Sequence, residues 1–133
     1  MNNYVEKACM FFRKAHILLE EAEKDLKIGC YNKAISAFYF AIESLANVLF
    51  MIKKQRTRGF GGRLSLIRNF FGIKVSIEIK KLHELREKAD HREIIFDKNQ
   101  ALKIAEQARK LFAIIRKRVI TELEKLGINV NEL

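Results

Sequence analysis

The sequence predicts an all-α protein, an antiparallel four-helix bundle with a short extra helical segment between the second and third long helices. Three observations carry this expectation. The chain has no proline and only six glycines in 133 residues, and long helices need few of either. Apolar residues recur every three or four positions along four long stretches, the period of one buried helical face. The connections between the long helices are mostly short, which sets successive helices antiparallel. A chain of 133 residues is expected to form one domain, 1–133 with a core over about 3–126, large enough to bury a core without staples.

The first helix is expected over residues 3–27. Val5, Ala8, Cys9, Phe12, Ala15, Leu19, Ala22 and Leu26 form its apolar face, while Glu6, Arg13, Lys14, Glu20, Glu21, Glu23 and Lys24 are assigned to solvent. Gly29 is the stop, because glycine accepts a left-handed backbone without a Cβ clash. The second helix, 31–55, is apolar nearly all round from Ala34 to Ile42, as befits the centre of a bundle. Ala34, Ala37, Ala41 and Ala46 let neighbours approach closely. Ser36, Tyr39, Glu43 and Asn47 follow spacings of three, four and four and fall on one stripe. Such a stripe is either a set of mutually satisfied core groups or the lining of a site.

Gly59, Gly61 and Gly62 punctuate the densest basic run and predict a flexible loop. It is not a phosphate-cradling P-loop, since no strand precedes it and the lysine and Ser/Thr that should follow the last glycine are missing. Lys53, Lys54, Arg56, Arg58 and Arg63 in or beside this run are candidates for holding an RNA backbone, with a solvated basic loop as the alternative. A short helical segment is expected over 64–71, a third helix over 76–89 and a connecting loop over 90–96. The fourth helix opens with Asp97 as cap and Gln100 three residues on, a capping-box pattern. Ala101, Leu102, Ile104, Ala105, Ala108, Leu111, Phe112, Ile115, Val119 and Leu123 are assigned to its inner face. Gly127 ends it, and residues 129–133 read as a frayed tail.

The composition, 49% hydrophobic and 32% charged, excludes a disordered chain. With 26 Lys and Arg against 16 Asp and Glu, the formal net charge is +10. A basic balance favours polyanions such as RNA, or serves solubility alone. Cys9 on the apolar stripe and Cys30 beside a turn read as free thiols, with a disulfide between them the alternative. No metal-ligand spacing is present, so no metal or cofactor is expected. The N-terminal residues lack a secretory pattern, and no uncharged run has the length of a membrane span. The expectation is a soluble, cytoplasmic protein with no membrane partner.

The one stretch with the makings of chemistry is Arg86-Glu87-Lys88-Ala89-Asp90-His91, where the third helix gives way to a loop. Histidine is the natural acid or base near neutral pH. Arginine can clamp a phosphate with paired donors and offset charge in the transition state. Together they supply what metal-independent RNA cleavage requires. His16 and His83 read as ordinary surface or core histidines.

These blocks resemble the HEPN family. The likeness rests on the helical stretch Phe12 to Ala22, the turn Gly29-Cys30-Tyr31-Asn32-Lys33-Ala34, the aromatic and small-residue stretch Ser36 to Ala46, and Leu85-Arg86-Glu87-Lys88-Ala89-Asp90-His91, similar to the family's Arg-x-x-Ala-Asp-Tyr signature. The resemblance implies a four-helix bundle that works as a homodimer. In the RNase branch an arginine and a histidine four to six residues on cleave RNA, and Arg86 and His91 match that pattern. Ser36, Tyr39 and Glu43 are then candidate lining residues. The resemblance also implies a nucleotidyltransferase partner of antitoxin type, or a non-catalytic module that binds a nucleotide or that partner. Two positions depart from the active pattern. Glu87 stands where a small polar residue is common, and Glu93 where the toxin branch often carries a tyrosine that its partner modifies.

Overall fold

The structure, a computed structural model, describes residues 3–133. Five α-helices follow one another: α1 (Asn3–Lys27), α2 (Tyr31–Ile52), α3 (Gly59–Phe71), α4 (Ile73–Asp90) and α5 (Lys98–Lys125), with a final 3₁₀ turn over Val130–Glu132. No strand occurs among the described residues. The α2 helix is the hub and packs on α1, α4 and α5, while α3 is laid against α4. Its apolar circumference is the reason. Ala34, Phe38, Ala41, Ile42, Leu45, Val48 and Leu49 are all essentially inaccessible to solvent, so partners must cover it on nearly every side. By length and apolarity α2 also reaches the dimensions of a membrane span; the bundle core accounts for that composition.

Four helices end in the same way. At the ends of α1, α2, α4 and α5 the chain turns left-handed at Gly29, Lys54, Arg92 and Gly127, with φ of 86°, 54°, 56° and 79°. In each case the next amide reaches back five residues along the chain to a helix carbonyl: Cys30 to Asp25, Gln55 to Phe50, Glu93 to Lys88 and Ile128 to Leu123. This is the Schellman arrangement, which satisfies carbonyls that the helix end orphans. Two of the stops carry glycine, and two carry a long basic side chain in its place.

Several expectations change. The second helix ends at Ile52 rather than at residue 55, because Lys54 takes the left-handed turn. The glycine run is not a flexible loop: Gly59 turns the chain, and α3 begins there and includes Gly61 and Gly62. The α4 helix starts at Ile73 rather than at 76, since Gly72, at a φ of 90°, hands the chain over in one residue and Ser76 Oγ donates to the Ile73 carbonyl at 2.8 Å. Leu102 is exposed rather than inward-facing. Residues 128–133 are not frayed, for Ile128, Val130 and Leu133 pack on the core. Glu23 is not simply solvated, because Arg109 of α5 grips its carboxylate at 2.7 and 2.8 Å. The capping box at Asp97 and Gln100 is present in full. Both cysteines are free, Cys9 buried and Cys30 exposed.

Candidate functional site at the end of α4

Arg86 lies one turn from the end of α4, facing α2. Its guanidinium sits 5.2 Å from the Tyr39 ring and 5.0 Å from the Phe40 ring, a geometry that attracts a cation to the π face. Nη1 donates to Asp90 Oδ2 at 3.1 Å, one turn along the helix. Nε is buried and has no hydrogen-bond partner among the described residues. Phe40 and Asp90, which flank the guanidinium, also line an open groove of about 610 Å³. Ser36 and Ala37 form part of its floor, Lys24 and Asp25 one wall, and Arg92 another. Arg86 therefore stands at the edge of an open groove with a donor unspent.

His91 follows as the C-cap of α4, and its amide donates to the Glu87 carbonyl at 3.0 Å. Its side chain is exposed and makes no hydrogen bond or ion pair among the described residues. No direct bond joins it to Arg86. Glu87, the awkward neighbour in sequence, points elsewhere: its carboxylate lies 3.4 Å from Nε2 of His83. One residue along a helix is a turn of about 100°, so Glu87 and Arg86 serve different surroundings. Asp90 is the anion that Arg86 meets.

The polar stripe divides. Ser36 faces the groove, whereas Tyr39, Glu43 and Asn47 lie under α3 and α4. Tyr39 is buried, and burial chiefly, with the neighbouring Glu43 carboxylate, holds its hydroxyl far above its ordinary titration range. Arg63 from α3 donates to Asn47 Oδ1 at 2.6 Å, approaches Glu43 at 4.0 Å and covers the Phe50 ring at 5.3 Å. His83 closes this seam, stacked on Phe60 at 3.6 Å and edge-on to Tyr39 at 5.3 Å. Burial pushes His83 below its ordinary value, which favours the neutral ring.

The five basic candidates scatter. Lys53 reaches across to Glu122, a carboxylate only 5% exposed that Arg118 and Lys125 also hold. These partners, Lys53 foremost, keep it below the ordinary carboxylate range against the desolvation that opposes them. Arg63 is engaged in the seam. Lys54 lies over Tyr4 at 5.2 Å, and Lys54 and Arg56 line a smaller hollow near the start of α1. Arg58 is exposed at the start of α3. Among the described residues, no three His, Cys, Asp or Glu side chains converge as metal ligands.

The family model of the HEPN domain matches residues 8–119, the whole bundle from α1 to most of α5. The chain belongs to the HEPN family. No curated protein matches it at a significant level. The match covers the Arg86 to His91 block together with its α2 neighbours.

Two parts of this HEPN site lie outside the residues singled out in the sequence. Asp90 was visible only as part of the motif, and its pairing with Arg86 follows from the i,i+4 spacing. Asn32, in the first turn of α2, binds the backbone on either side of His91. Its Nδ2 donates to the carbonyls of Ala89 at 3.1 Å and Ile94 at 2.8 Å, and its Oδ1 accepts from the Phe96 amide at 3.0 Å. A small cluster of Ile35, Ala89 and Phe96 packs beside it. Contacts between residues about sixty positions apart leave no periodic trace.

Proposed function

We propose that this HEPN protein is a metal-independent endoribonuclease of toxin-like type that acts as a cytoplasmic homodimer. The observation that carries the reading is Arg86, recessed at the edge of the groove with a buried, unpartnered Nε, followed five residues on by an exposed His91 whose ring is uncommitted. Arg86 would clamp the scissile phosphate, exchanging Asp90 for a phosphate oxygen that takes both Nε and a terminal nitrogen. The ribose 2′-oxygen attacks phosphorus and the bond to the 5′-oxygen breaks, leaving a 2′,3′-cyclic phosphate and a 5′-hydroxyl. The first oxygen must lose a proton and the second must gain one. Each chain offers one free histidine beside an arginine, and two copies would supply both a base and an acid. Ser36 is placed to line the groove beside the clamp. Tyr39 and Glu43 support Arg86 from beneath, Tyr39 directly through its ring, rather than facing substrate. Lys54, Arg56 and Arg58 are free to meet RNA backbone; Lys53 and Arg63 would have to leave internal partners to do so.

The test is cleavage of single-stranded RNA in EDTA by the wild type, Arg86→Ala and His91→Ala. Both variants are expected to lose activity, and wild-type products to end in cyclic phosphate. Cleavage that survives His91→Ala would overturn the assignment.

A second reading has its own support in the Arg86–Asp90 pair, which already occupies one guanidinium nitrogen. Under it the domain is a non-catalytic module that binds a nucleotide or a nucleotidyltransferase partner. No cleavage by folded wild type, with binding of either, favours this reading.

A further inference from the structure

The proposed chemistry places a heavy demand on His91. Catalytic groups must hold position to a fraction of an ångström, and usually a second side chain orients the imidazole. His91 has no such partner: its ring is exposed and bonded to nothing among the described residues. Its place is therefore set by its backbone alone. That backbone lies where α4 has just ended, directly before Arg92 at a φ of 56°, followed by an irregular segment to residue 97.

One side chain fixes this segment from outside. The Asn32 amide uses both donor hydrogens and its oxygen on three backbone groups, the carbonyls of Ala89 and Ile94 and the amide of Phe96. These flank His91 on both sides, two residues before it and three and five after. The three bonds do the work of a short backbone ladder where no second strand exists. Asn32 is itself anchored in the first turn of α2, the best-buried helix, next to Ile35, which is 1% exposed. The clasp thus ties the histidine's backbone to the same helix whose Tyr39 and Phe40 rings seat Arg86.

Resting on the cleavage reading above, we infer that Asn32 is a positioning residue, which sets the geometry between His91 and Arg86 through the backbone it holds rather than by contact with the reacting atoms. Its effect would fall on the chemical step. Asn32 also lines the groove, but both its amide hydrogens and its oxygen are engaged by these backbone groups, so substrate affinity rests on the phosphate clamp and the other groove residues.

The experiment combines kinetics and amide exchange on the full chain, with Asn32→Ala, Asn32→Gln and His91→Ala beside the wild type. The probe is a mixed-sequence single-stranded RNA carrying a fluorophore and quencher. For Asn32→Ala, kcat is expected to fall about 10- to 100-fold, the cost of a misplacement on the ångström scale, with KM little changed. The Phe96 amide, bonded to Asn32 Oδ1, is expected to exchange roughly tenfold faster or more, while amides in the middle of α1 and α5 keep their protection. Asn32→Gln keeps an amide but carries it one methylene out of register, so it should fold and still lose most of kcat. Unchanged kcat in both variants, or a loss carried by KM, overturns the positioning role, as does acceleration of exchange throughout the bundle. If His91→Ala is as active as wild type, or wild type is inactive, the cleavage reading fails instead. The exchange arm then decides the clasp alone: Phe96 protection that survives Asn32→Ala overturns it.

Discussion

Two arginines lie against the aromatic face of α2, and their surroundings differ in a way that separates a structural side chain from an available one. Arg63, brought in by α3, spends its charge inside the fold. It donates to Asn47 at 2.6 Å, faces Glu43 at 4.0 Å and covers Phe50. Arg86, brought in by α4, rests on Tyr39 and Phe40, pairs once with Asp90 and leaves a buried Nε without a partner. An arginine with every neighbour matched is a strut. One with a donor to spare, beside a groove of about 610 Å³, is ready for an anion. The basic composition alone could not draw that distinction, because both residues add the same charge.

The sharpest way to break the contrast is to truncate each arginine and read stability separately from activity. Arg63→Ala removes a charge-assisted hydrogen bond and a ring contact and leaves the half-buried Glu43 and Asn47 short of partners. Its expected cost is about 2–3 kcal/mol in urea unfolding. Arg86→Ala removes an i,i+4 ion pair and two ring contacts but also an unsatisfied buried donor. Its expected cost is below about 1 kcal/mol. If the two variants destabilise equally, Arg86 is a strut as well, and its claim to the site weakens.

How much of this contrast was legible in the sequence depends on the reach of each interaction. Features set within one turn were readable: the buried stripe of α1, the glycine stops at Gly29 and Gly127, and the Asp97 capping box. The Ser36–Tyr39–Glu43–Asn47 stripe was visible as a stripe. Its division between groove and seam was not, because that depends on where α3 lands. The start of α3 was missed since three glycines in four residues read as a loop, yet Gly61 and Gly62 have ordinary helical backbones and only Gly59 needs its freedom. The Asn32 clasp and the Lys53–Glu122 pair were invisible for the same reason, as their partners lie far away along the chain.

The two regions should also part under acid. His83, between the Tyr39 ring and Phe60, is pushed below its ordinary value of 6.5 by burial first; the Arg86 charge acts in the same direction, and Glu87, Glu43 and Glu84 oppose it. The unfolded chain therefore takes up this proton at a higher pH than the folded chain does. The stability tied to a neutral His83 is complete above the unfolded value and drains away as pH falls through the folded one. For a single group the slope cannot exceed about 1.4 kcal/mol per pH unit. The urea midpoint should drop on going from neutral into acid, and His83→Gln should flatten that part of the profile. An unchanged profile would mean that other groups carry the acid sensitivity.

The smallest expected effect concerns the stops. Where α1 and α5 turn left-handed on glycine, α2 and α4 do so on Lys54 and Arg92. A side chain with a Cβ is strained there by about 1–2 kcal/mol, and glycine recovers part of this after its own loss of chain entropy. Arg92 has no hydrogen bond or ion pair from its guanidinium among the described residues, so nothing in the fold offsets the strain. Arg92→Gly is expected to stabilise the protein by about 0.5–1 kcal/mol, read as a higher Tm. Yet Arg92 lines the groove beside Asp90, where a cation would meet RNA backbone. The same variant should then bind RNA more weakly, with a shallower salt dependence, by about one phosphate contact. Stability gained with affinity lost would mean the strain is retained for the sake of the groove. Stability gained with affinity intact would leave Arg86 as the groove's working cation.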